Sequence, residues 1–379
     1  PEPLLQVNIS YITLCGFVEL NKYRYLYFTI MFTIYVLIIC GNSIIVYLIW
    51  SNKSLHEPMY IFIAALLVNC VLNSTVVYPK LLVDFLSEKQ IISYSTCIFQ
   101  FFMFYTLGGT EFILLAVMAF DRYVSICKPL RYQTIMRKTT VNIFLVLAWL
   151  FPVCHIAFET SLIAEAKICN LNLNGIFCNN AVFTLQCVRS KPVTILGVVS
   201  LLDLVIIPML FTVFTYGKIF IISYQKCKTF RRKAAETCIP HLLVLVSVSY
   251  LAVYDVIIAR VQSEFSKIAR FIMTLQIFLY HPLFNPFIYG LKMRKISKHL
   301  KFLSIGRIPV LTVSQCVTLP HDPGQYMLST DPLTPFSSIL VKGCNILKTT
   351  YMMQTVEGGF TPRLMRANFR LHQTVCFSI

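Results

Sequence analysis

Charged residues are scarce in this sequence, at 13% of 379 residues, whereas 57% of the residues are apolar. A soluble protein of this size needs more polar surface than that, so the composition excludes a soluble globular chain. Apolar and polar residues do not alternate along the chain, which argues against a transmembrane β-barrel. The sequence also lacks metal-ligand clusters, nucleophile elbows and phosphate-binding loops, so it predicts neither an enzyme nor a bound metal or cofactor.

Seven apolar stretches meet or approach the about 20 residues that a helix needs to cross the hydrocarbon core of a membrane. The sequence therefore predicts an all-α membrane protein, built as a seven-transmembrane helix bundle. It contains no internal repeat, which disfavours the inverted-repeat architecture of transporters. The predicted spans are residues 25–50, 58–83, 97–120, 141–163, 192–224, 238–259 and 268–291.

The placement of the charges predicts the orientation of the bundle. The 33 Lys and Arg residues outnumber the 16 Asp and Glu residues, and they cluster after the third, fifth and seventh spans. By the positive-inside rule these segments are cytoplasmic, which places the N-terminus outside the cell. Because the positive charge lies beside the spans, we expect membrane lipid and not nucleic acid as its partner. The loops of the other side are predicted to hold Asp84, Glu88, Glu159, Glu165 and Glu264.

The chain divides into four segments. Residues 1–24 form an outer arm that shows no cleavable signal peptide and carries a glycosylation sequon at Asn8. Residues 25–291 form the bundle. In residues 292–303 apolar and basic side chains fall on different faces, which predicts an amphipathic helix on the inner membrane surface. Residues 304–379 show no helical period and no long apolar run, so we expect a disordered cytoplasmic tail.

A charged pair lies near the inner end of the third span, in the tripeptide Asp121-Arg122-Tyr123. One interpretation is an arginine that reaches the membrane interface beside a carboxylate. The other is a switch, in which Asp121 restrains Arg122 at rest and Arg122 turns toward a partner on activation. Cys97 precedes Arg122 by about 37 Å of helix, so it lies at the outer end of the same span, and this favours the switch.

The seventh span contains a second group of residues that could form part of a switch. Pro286 removes a backbone donor and kinks the helix, and Asn285 and Tyr289 share one helical face. The alternative is an ordinary helix end that contains a proline. In the fifth span, Tyr216 is the expected partner of Arg122.

In their order and spacing these motifs resemble odorant receptors, of the rhodopsin-like G-protein-coupled class, over about residues 8–303. The first inner loop is rather specific to that family, and the second span is more similar to fish receptors than to mammalian ones. The resemblance is carried by Gly41-Asn42, residues 55–60 (LHEPMY), residues 64–69 (AALLVN), Pro79-Lys80, residues 118–127 (MAFDRYVSIC), residues 233–242 (KAAETCIPHL) and residues 282–289 (PLFNPFIY).

Cys97, Cys169, Cys178 and Cys187 lie on the predicted outer side, and spacing alone allows three pairings of these four. The resemblance implies that Cys97 pairs with Cys178 and that Cys169 pairs with Cys187. These bonds would hold a lid over a ligand cavity.

Glu111 lies in the middle of the third span, where a carboxylate is costly and usually functional. It either is protonated at rest or binds sodium. The family commonly has a second carboxylate near this depth in the second span. This chain has Asn69 and Cys70 there, so we expect the proton.

The resemblance also implies a function. A receptor of this family in the plasma membrane binds a small organic odorant and activates a heterotrimeric G protein, whose olfactory or stimulatory α subunit raises cAMP. Most positions of the implied pocket are apolar or small, as a site for small organic molecules requires. They are Phe104, Tyr105, Gly108, Gly109, Ser200, Leu201, Leu204, Ser249, Val253, Asp255 and Phe278.

The charge of the ligand and two alternative functions remain open. Phe104 stands where amine receptors place an aspartate, so a charged amine is disfavoured, whereas basic residues at the outer rim would suit a negatively charged odorant. A rhodopsin-like receptor for a lipid or a peptide is a second function. A pseudogene-like product that does not signal is a third.

Overall fold

The computed structural model describes residues 11–188, 191–260 and 266–304. The predicted arm up to residue 10, with Asn8, and the predicted tail from residue 305 onward lie outside these residues. Within them the chain forms eight helices of more than two turns. They are α1 (Leu20–Ser51), α2 (Pro58–Leu86), α3 (Tyr94–Cys127), α4 (Lys138–Ala164), α5 (Lys191–Tyr224), α6 (Lys228–Arg260), α7 (Lys267–Lys292) and α8 (Arg294–Ser304).

Helices α1 to α7 are long and apolar enough to cross a membrane. The shortest apolar segment, Ala234–Asp255 in α6, has 22 residues. This is about 33 Å of helix, which matches a hydrocarbon core of about 30 Å. The prediction of an all-α, seven-helix membrane bundle is confirmed.

Helix α3 lies at the centre of the bundle. It contacts α2, α4, α5 and α6, and 56% of its apolar segment is buried, compared with 28% for α1 and 22% for α4. A helix surrounded on most sides by other helices can carry polar groups that lipid would not tolerate. Both charged features predicted for this span, the Asp121–Arg122 pair and Glu111, therefore lie inside protein.

The two prolines of α7 join this helix to α1 and α2. A proline has no N–H, so the carbonyl four residues earlier loses its helical partner. Pro286 frees the carbonyl of Pro282, which accepts a hydrogen bond from Asn42 Nδ2 at 3.1 Å. Pro282 in turn frees the carbonyl of Phe278, which accepts from the Tyr78 hydroxyl at 3.0 Å. Both kink-forming residues are thus held by side chains of neighbouring helices.

Helix α8 lies against the end of the bundle that holds Arg122. Ile296 is fully buried, whereas Lys295 and Lys298 are exposed, as expected for an amphipathic surface helix. The ammonium of Lys295 lies 2.5 Å from Glu57 Oε1, and this hydrogen bond raises the pKa of the lysine. Gly290 leaves room for the side chain of Leu300, because a Cβ at this glycine would lie 3.0 Å from Leu300 Cδ1.

A small three-stranded sheet covers the opposite end, which we call the disulfide end. Strand β1 (Tyr11–Leu14) pairs antiparallel with β2 (Ile91–Ser93) and parallel with β3 (Asn172–Leu173). Ile12 and Leu14 are buried under it. The sequence analysis took this part of the chain for a simple arm, because strands this short carry too few residues to show a pattern.

Two disulfides tie down the loop between α4 and α5 at the disulfide end. Cys97, near the start of α3, is bonded to Cys178, and Cys169 is bonded to Cys187. These are the pairings that the resemblance implied. Residues 178–185, which include a short 3₁₀ helix (Asn180–Leu185), form a lid between them.

We expect the two disulfides to stabilise the fold unequally. The Cys97–Cys178 bond closes a sequence separation of 81 residues and the Cys169–Cys187 bond one of 18. The chain-entropy model then gives about 4.5 and about 3 kcal/mol. Double Cys→Ser variants, unfolded by denaturant in detergent, measure both losses. Cys154→Ser, at an exposed free cysteine, is the control. A larger loss from the shorter loop would contradict the entropic explanation.

Candidate functional site

A cavity of about 240 Å³ opens beneath the lid, in the half of the bundle next to the disulfide end. Helix α3 supplies one wall, and α2, α4, α5, α6, α7 and the lid supply the others. Nine of the eleven predicted pocket residues line it. They are Phe104, Tyr105, Gly108, Gly109, Ser200, Leu201, Leu204, Asp255 and Phe278.

Two predicted pocket residues lie elsewhere. Val253 is 56% exposed on the outside of the bundle, and the Ser249 hydroxyl lies 3.3 Å from the sulfur of Met209. The face of α6 that lines the cavity carries Val248, Ala252 and Asp255 instead. Each residue turns a helix by about 100°, so the positions directly after 248 and 252 point away. The predicted face of α6 was one residue out of register at these two positions.

Aromatic rings form the apolar part of the cavity next to the lid. Phe177 lies between Phe104 and Phe278, with ring centroids 5.0 and 4.8 Å apart and the rings close to perpendicular. Edge-to-face pairs of this kind are favoured over parallel sandwiches. Phe177, the residue directly before the lid, thereby connects α3 to α7. The sequence analysis did not select it.

The backbone geometry of α5 brings its residues to the cavity. The helix contains a π-helical segment, Leu202–Ile206, two residues before Pro208. Such a segment inserts an extra residue into the turn, and it relieves the clash that a proline makes with the preceding turn. Ser200 and Leu204 are both buried on its inner side. Leu204 packs so tightly on Gly109 that a Cβ at the glycine would lie 3.2 Å from it.

Asp255 of α6 holds the lid in place. Its carboxylate accepts hydrogen bonds from the Tyr105 hydroxyl at 2.7 Å, from Asn179 Nδ2 at 3.0 Å and from Asn180 Nδ2 at 2.9 Å. The Tyr105 hydroxyl also accepts from the backbone N–H of Asn180 at 2.9 Å. A buried carboxylate needs such donors. The sequence analysis selected Tyr105 and Asp255 but neither asparagine, since lid residues become neighbours of α6 only through the Cys178 disulfide.

Gln100 anchors the lid at a second point. Its side-chain oxygen accepts from the backbone N–H of Cys178 at 2.9 Å, and its Nε2 donates to the carbonyl of Val76 at 3.1 Å. The lid is therefore fixed to α3 by a covalent bond and by hydrogen bonds on both sides of it.

Two acidic residues assigned to loops lie within helices. Glu159 is 4% exposed in α4, and its Oε2 accepts a hydrogen bond from Ser200 Oγ at 2.6 Å. Asp84 is 1% exposed in α2 and forms an ion pair with Lys80. The placement of both residues in loops was wrong. Glu159 falls within the predicted span 141–163, and α2 continues past the predicted end of its span at residue 83 to include Asp84. Each carboxylate has a partner inside the bundle.

Glu111 is 3% exposed and borders the cavity from α3. The choice between a proton and sodium stays a prediction. Within residues 11–188, 191–260 and 266–304, no group of three or more His, Cys, Asp or Glu side chains is placed to hold a metal ion.

The charged pair occupies the other end of α3. Arg122 donates to Asp121 Oδ2 through Nε at 3.0 Å and also through Nη2. The Tyr132 hydroxyl donates to Asp121 Oδ1 at 2.9 Å. Burial, and then the charge of Asp121, raise the pKa of Tyr132, so this hydroxyl keeps the proton that it donates. Both oxygens of Asp121 thus accept hydrogen bonds, and Arg122 is paired with Asp121.

The other predicted switch residues surround this pair or lie above it. Tyr216 of α5 is buried near Arg122, and its hydroxyl has no hydrogen-bond partner among the described residues. Tyr123 is half-buried, with the Lys128 ammonium 5.8 Å from its ring centroid. Asn285 Nδ2 lies 2.9 Å from the sulfur of Cys70.

Two further contacts connect α7 to its neighbours at this depth. Pro286 packs against Gly41 of α1, where a Cβ would lie 3.3 Å from the proline ring. The Tyr289 hydroxyl lies 3.4 Å from His241 Nδ1 of α6. The sequence analysis gave no role to His241, although it lies in a motif that carries the resemblance.

Seven spans, a lidded cavity and a restrained arginine at the far end of α3 define a receptor of the rhodopsin-like G-protein-coupled class. The family model for olfactory receptors matches residues 31–305, and the chain belongs to the olfactory receptor family. Members of this family are multi-pass membrane receptors for odorants and are not enzymes.

Individual relatives agree with the family match. Olfactory receptor 1500 of Rattus norvegicus is 33% identical over 288 residues, which cover 74% of this chain and 90% of the relative. Olfactory receptor 11H2 of Homo sapiens is 35% identical over 280 residues, 72% of this chain and 84% of the relative. Olfactory receptor 11A1 of Homo sapiens is 31% identical over 317 residues, 82% and 97% of the two chains. The greater similarity to fish receptors stays a prediction.

We expect Tyr105→Phe to loosen the lid. The change removes a buried hydroxyl that donates to Asp255 and accepts from Asn180. Hydrogen bonds to charged groups contribute about 1.5–3 kcal/mol, so the free energy of unfolding should fall by about that amount. Thermal unfolding of purified receptor measures the loss. Tyr25→Phe, at an exposed ring of α1, is the matched control. Equal unfolding temperatures for both variants would rule out this role of Tyr105.

Proposed function

We propose that this receptor binds a small organic odorant in the cavity under the lid and activates a stimulatory, cAMP-raising G protein. The observation that carries the proposal is the cavity itself. It is largely apolar, and it lies on the same helix as the Asp121–Arg122 pair but at the opposite end. Its volume of about 240 Å³ is below the roughly 300–1,000 Å³ of sites for drug-sized ligands, which favours small odorants.

The distribution of charge supports an orientation with the N-terminus outside the cell, in the plasma membrane. Basic residues concentrate at the Arg122 end, in the α3–α4 loop, the α5–α6 loop and α8, and the positive-inside rule makes this end cytoplasmic. There they are available to anionic lipid and to a G protein. Examples are Lys128, Arg131, Arg137, Lys226, Arg231, Arg232, Lys295 and Lys298. The disulfides would then face the oxidising exterior, as would a glycan at Asn8.

Activation is a shift between two populated states. In the resting state the Tyr132 hydroxyl donates a hydrogen bond to Asp121, and Asp121 holds Arg122 in place. A ligand that binds more tightly when α6 has moved outward favours release of Arg122, which then takes Tyr216 as its new partner. Asp255 lies on α6 and the lid covers the cavity, so filling the cavity acts directly on the helix that moves.

We propose that Glu111 is a protonated carboxyl group at the inner border of the cavity. It is buried among helices and, in this chain, faces no second carboxylate at Asn69 or Cys70. Titration of purified receptor with sodium chloride against choline chloride tests this. A sodium-specific rise in unfolding temperature would show that Glu111 binds sodium and is not protonated.

We expect Gly108→Leu to abolish or weaken the odorant response. A Cβ at Gly108 meets no atom within 4 Å, so the leucine side chain would fill the cavity without a clash. The half-maximal odorant concentration for cAMP should rise about tenfold or more. Gly217→Leu, at an exposed glycine of α5 that is equally unobstructed, is the control. If both variants with normal surface delivery respond like the wild type, the ligand binds elsewhere.

The switch predicts opposite effects for two changes. Arg122→Ala should abolish the cAMP response, because it removes the group that engages the G protein. Tyr132→Phe should raise basal cAMP severalfold, because it removes one of the hydrogen bonds that occupy Asp121. Tyr47→Phe, at an exposed ring on α1, controls for the loss of a hydroxyl. Unchanged basal cAMP in Tyr132→Phe would show that Tyr132 does not contribute to the restraint.

A further inference from the structure

The charges that border the cavity are all of one sign. Its walls contain the carboxylates Glu111, Glu159 and Asp255, and no Lys, Arg or His among the described lining residues. Buried carboxylates need hydrogen-bond donors, protons or cations. Which of the three can receive a ligand depends on how many of its acceptor sites the protein already uses.

Asp255 has little capacity left. It accepts three hydrogen bonds, from Tyr105, Asn179 and Asn180, and all three hold the lid. A ligand that recruited Asp255 would have to displace the lid.

Glu159 is different, since only its Oε2 accepts a hydrogen bond, from Ser200. Within the described residues Oε1 has no donor, although the side chain as a whole is 4% exposed. Oε1 lies beside Gly197, where even a Cβ would be 3.4 Å away, and both residues line the cavity. A buried carboxylate oxygen therefore faces a small cavity with an unused acceptor site.

The neighbouring His155 does not balance this charge. Ser200 gives its one hydrogen to Glu159, so at 3.1 Å it accepts from Nδ1–H of His155. The other ring nitrogen, Nε2, lies 3.5 Å from Asp203. If the imidazole gains a second proton, it sits between two carboxylates and gains Asp203 as a direct partner. With both carboxylates ionised the group carries two negative charges when the imidazole is neutral and one when it is protonated, and of the two carboxylates only Glu159 lines the cavity.

We propose that the cavity takes a small protonated amine, whose ammonium group binds Glu159 Oε1 while its hydrocarbon chain packs against Phe104 and Phe278. This proposal rests on the proposed function of the cavity. It reverses two expectations from the sequence, that Phe104 disfavours an amine and that the basic rim suits an anion. The acidic group comes from α4, at a position that lies within the predicted span 141–163 although it was also counted among the outer loop residues.

Matched pairs of ligands test the proposal. Butylamine, hexylamine and octylamine are protonated at neutral pH, and each is compared with the alcohol of the same chain length. Purified full-length receptor is titrated with each compound, and apparent affinities are taken from the rise in unfolding temperature. At least one amine should bind about tenfold or more tightly than its alcohol. If no amine binds more tightly than its alcohol, the proposal is overturned.

Glu159→Gln then tests the residue. Glutamine keeps an oxygen for Ser200 but has no charge, so amine affinity should fall about tenfold to a hundredfold, while alcohol affinity changes little. Glu165→Gln is the matched control, because this exposed glutamate lies six residues further along at the end of α4. Unchanged amine affinity in Glu159→Gln would overturn the proposal.

The same titration separates this proposal from the proposed function. Gly108→Leu should exclude amine and alcohol alike. If Gly108→Leu excludes both but Glu159→Gln changes neither, the cavity is the ligand site and only the amine assignment fails. If amines bind to Gly108→Leu as well as to the wild type, the ligand site itself is wrong.

Discussion

The cost of an unpaired polar group in hydrocarbon determines the form of this molecule. In a helix the backbone satisfies its own N–H and C=O groups, and the described part of the chain accordingly has seven helices that can cross the membrane. Where a proline breaks that self-sufficiency in α7, a side chain from another helix supplies the missing donor, as Asn42 and Tyr78 do. The same cost confines charged side chains to the interface, or to positions with a partner, such as Asp84 with Lys80.

Two groups of polar contacts lie at the two ends of α3. At the disulfide end Asp255 joins α6, α3 and the lid, and at the other end Asp121 joins Arg122 and Tyr132. Helix α6 takes part in both halves, since His241 lies beside Tyr289. Helix α6 therefore connects the cavity to the far end. No continuous chain of side-chain contacts is required for this.

The sequence predicted most of the fold, because long apolar runs and the positions of basic residues are visible without tertiary information. Nine of the eleven pocket positions line the cavity, whereas Ser249 and Val253 point elsewhere because the face of α6 was one residue out of register. Contacts that depend on chain closure were not predictable. Asn179 and Asn180 meet Asp255 only after the Cys178 disulfide forms, and Glu159 meets Ser200 only once α4 and α5 are packed side by side.

Gly108 and Gly109, adjacent in α3, differ in which substitutions evolution can accept. Gly109 is enclosed by Leu204 and Pro152, so larger residues there would disturb the packing of α3 against α4 and α5. Gly108 faces empty space, and a larger residue there meets nothing but the cavity. Selection can therefore vary position 108 to exchange one set of ligands for another without first restoring stability. One helix turn thus contains a position that preserves the scaffold beside a position that can diversify recognition.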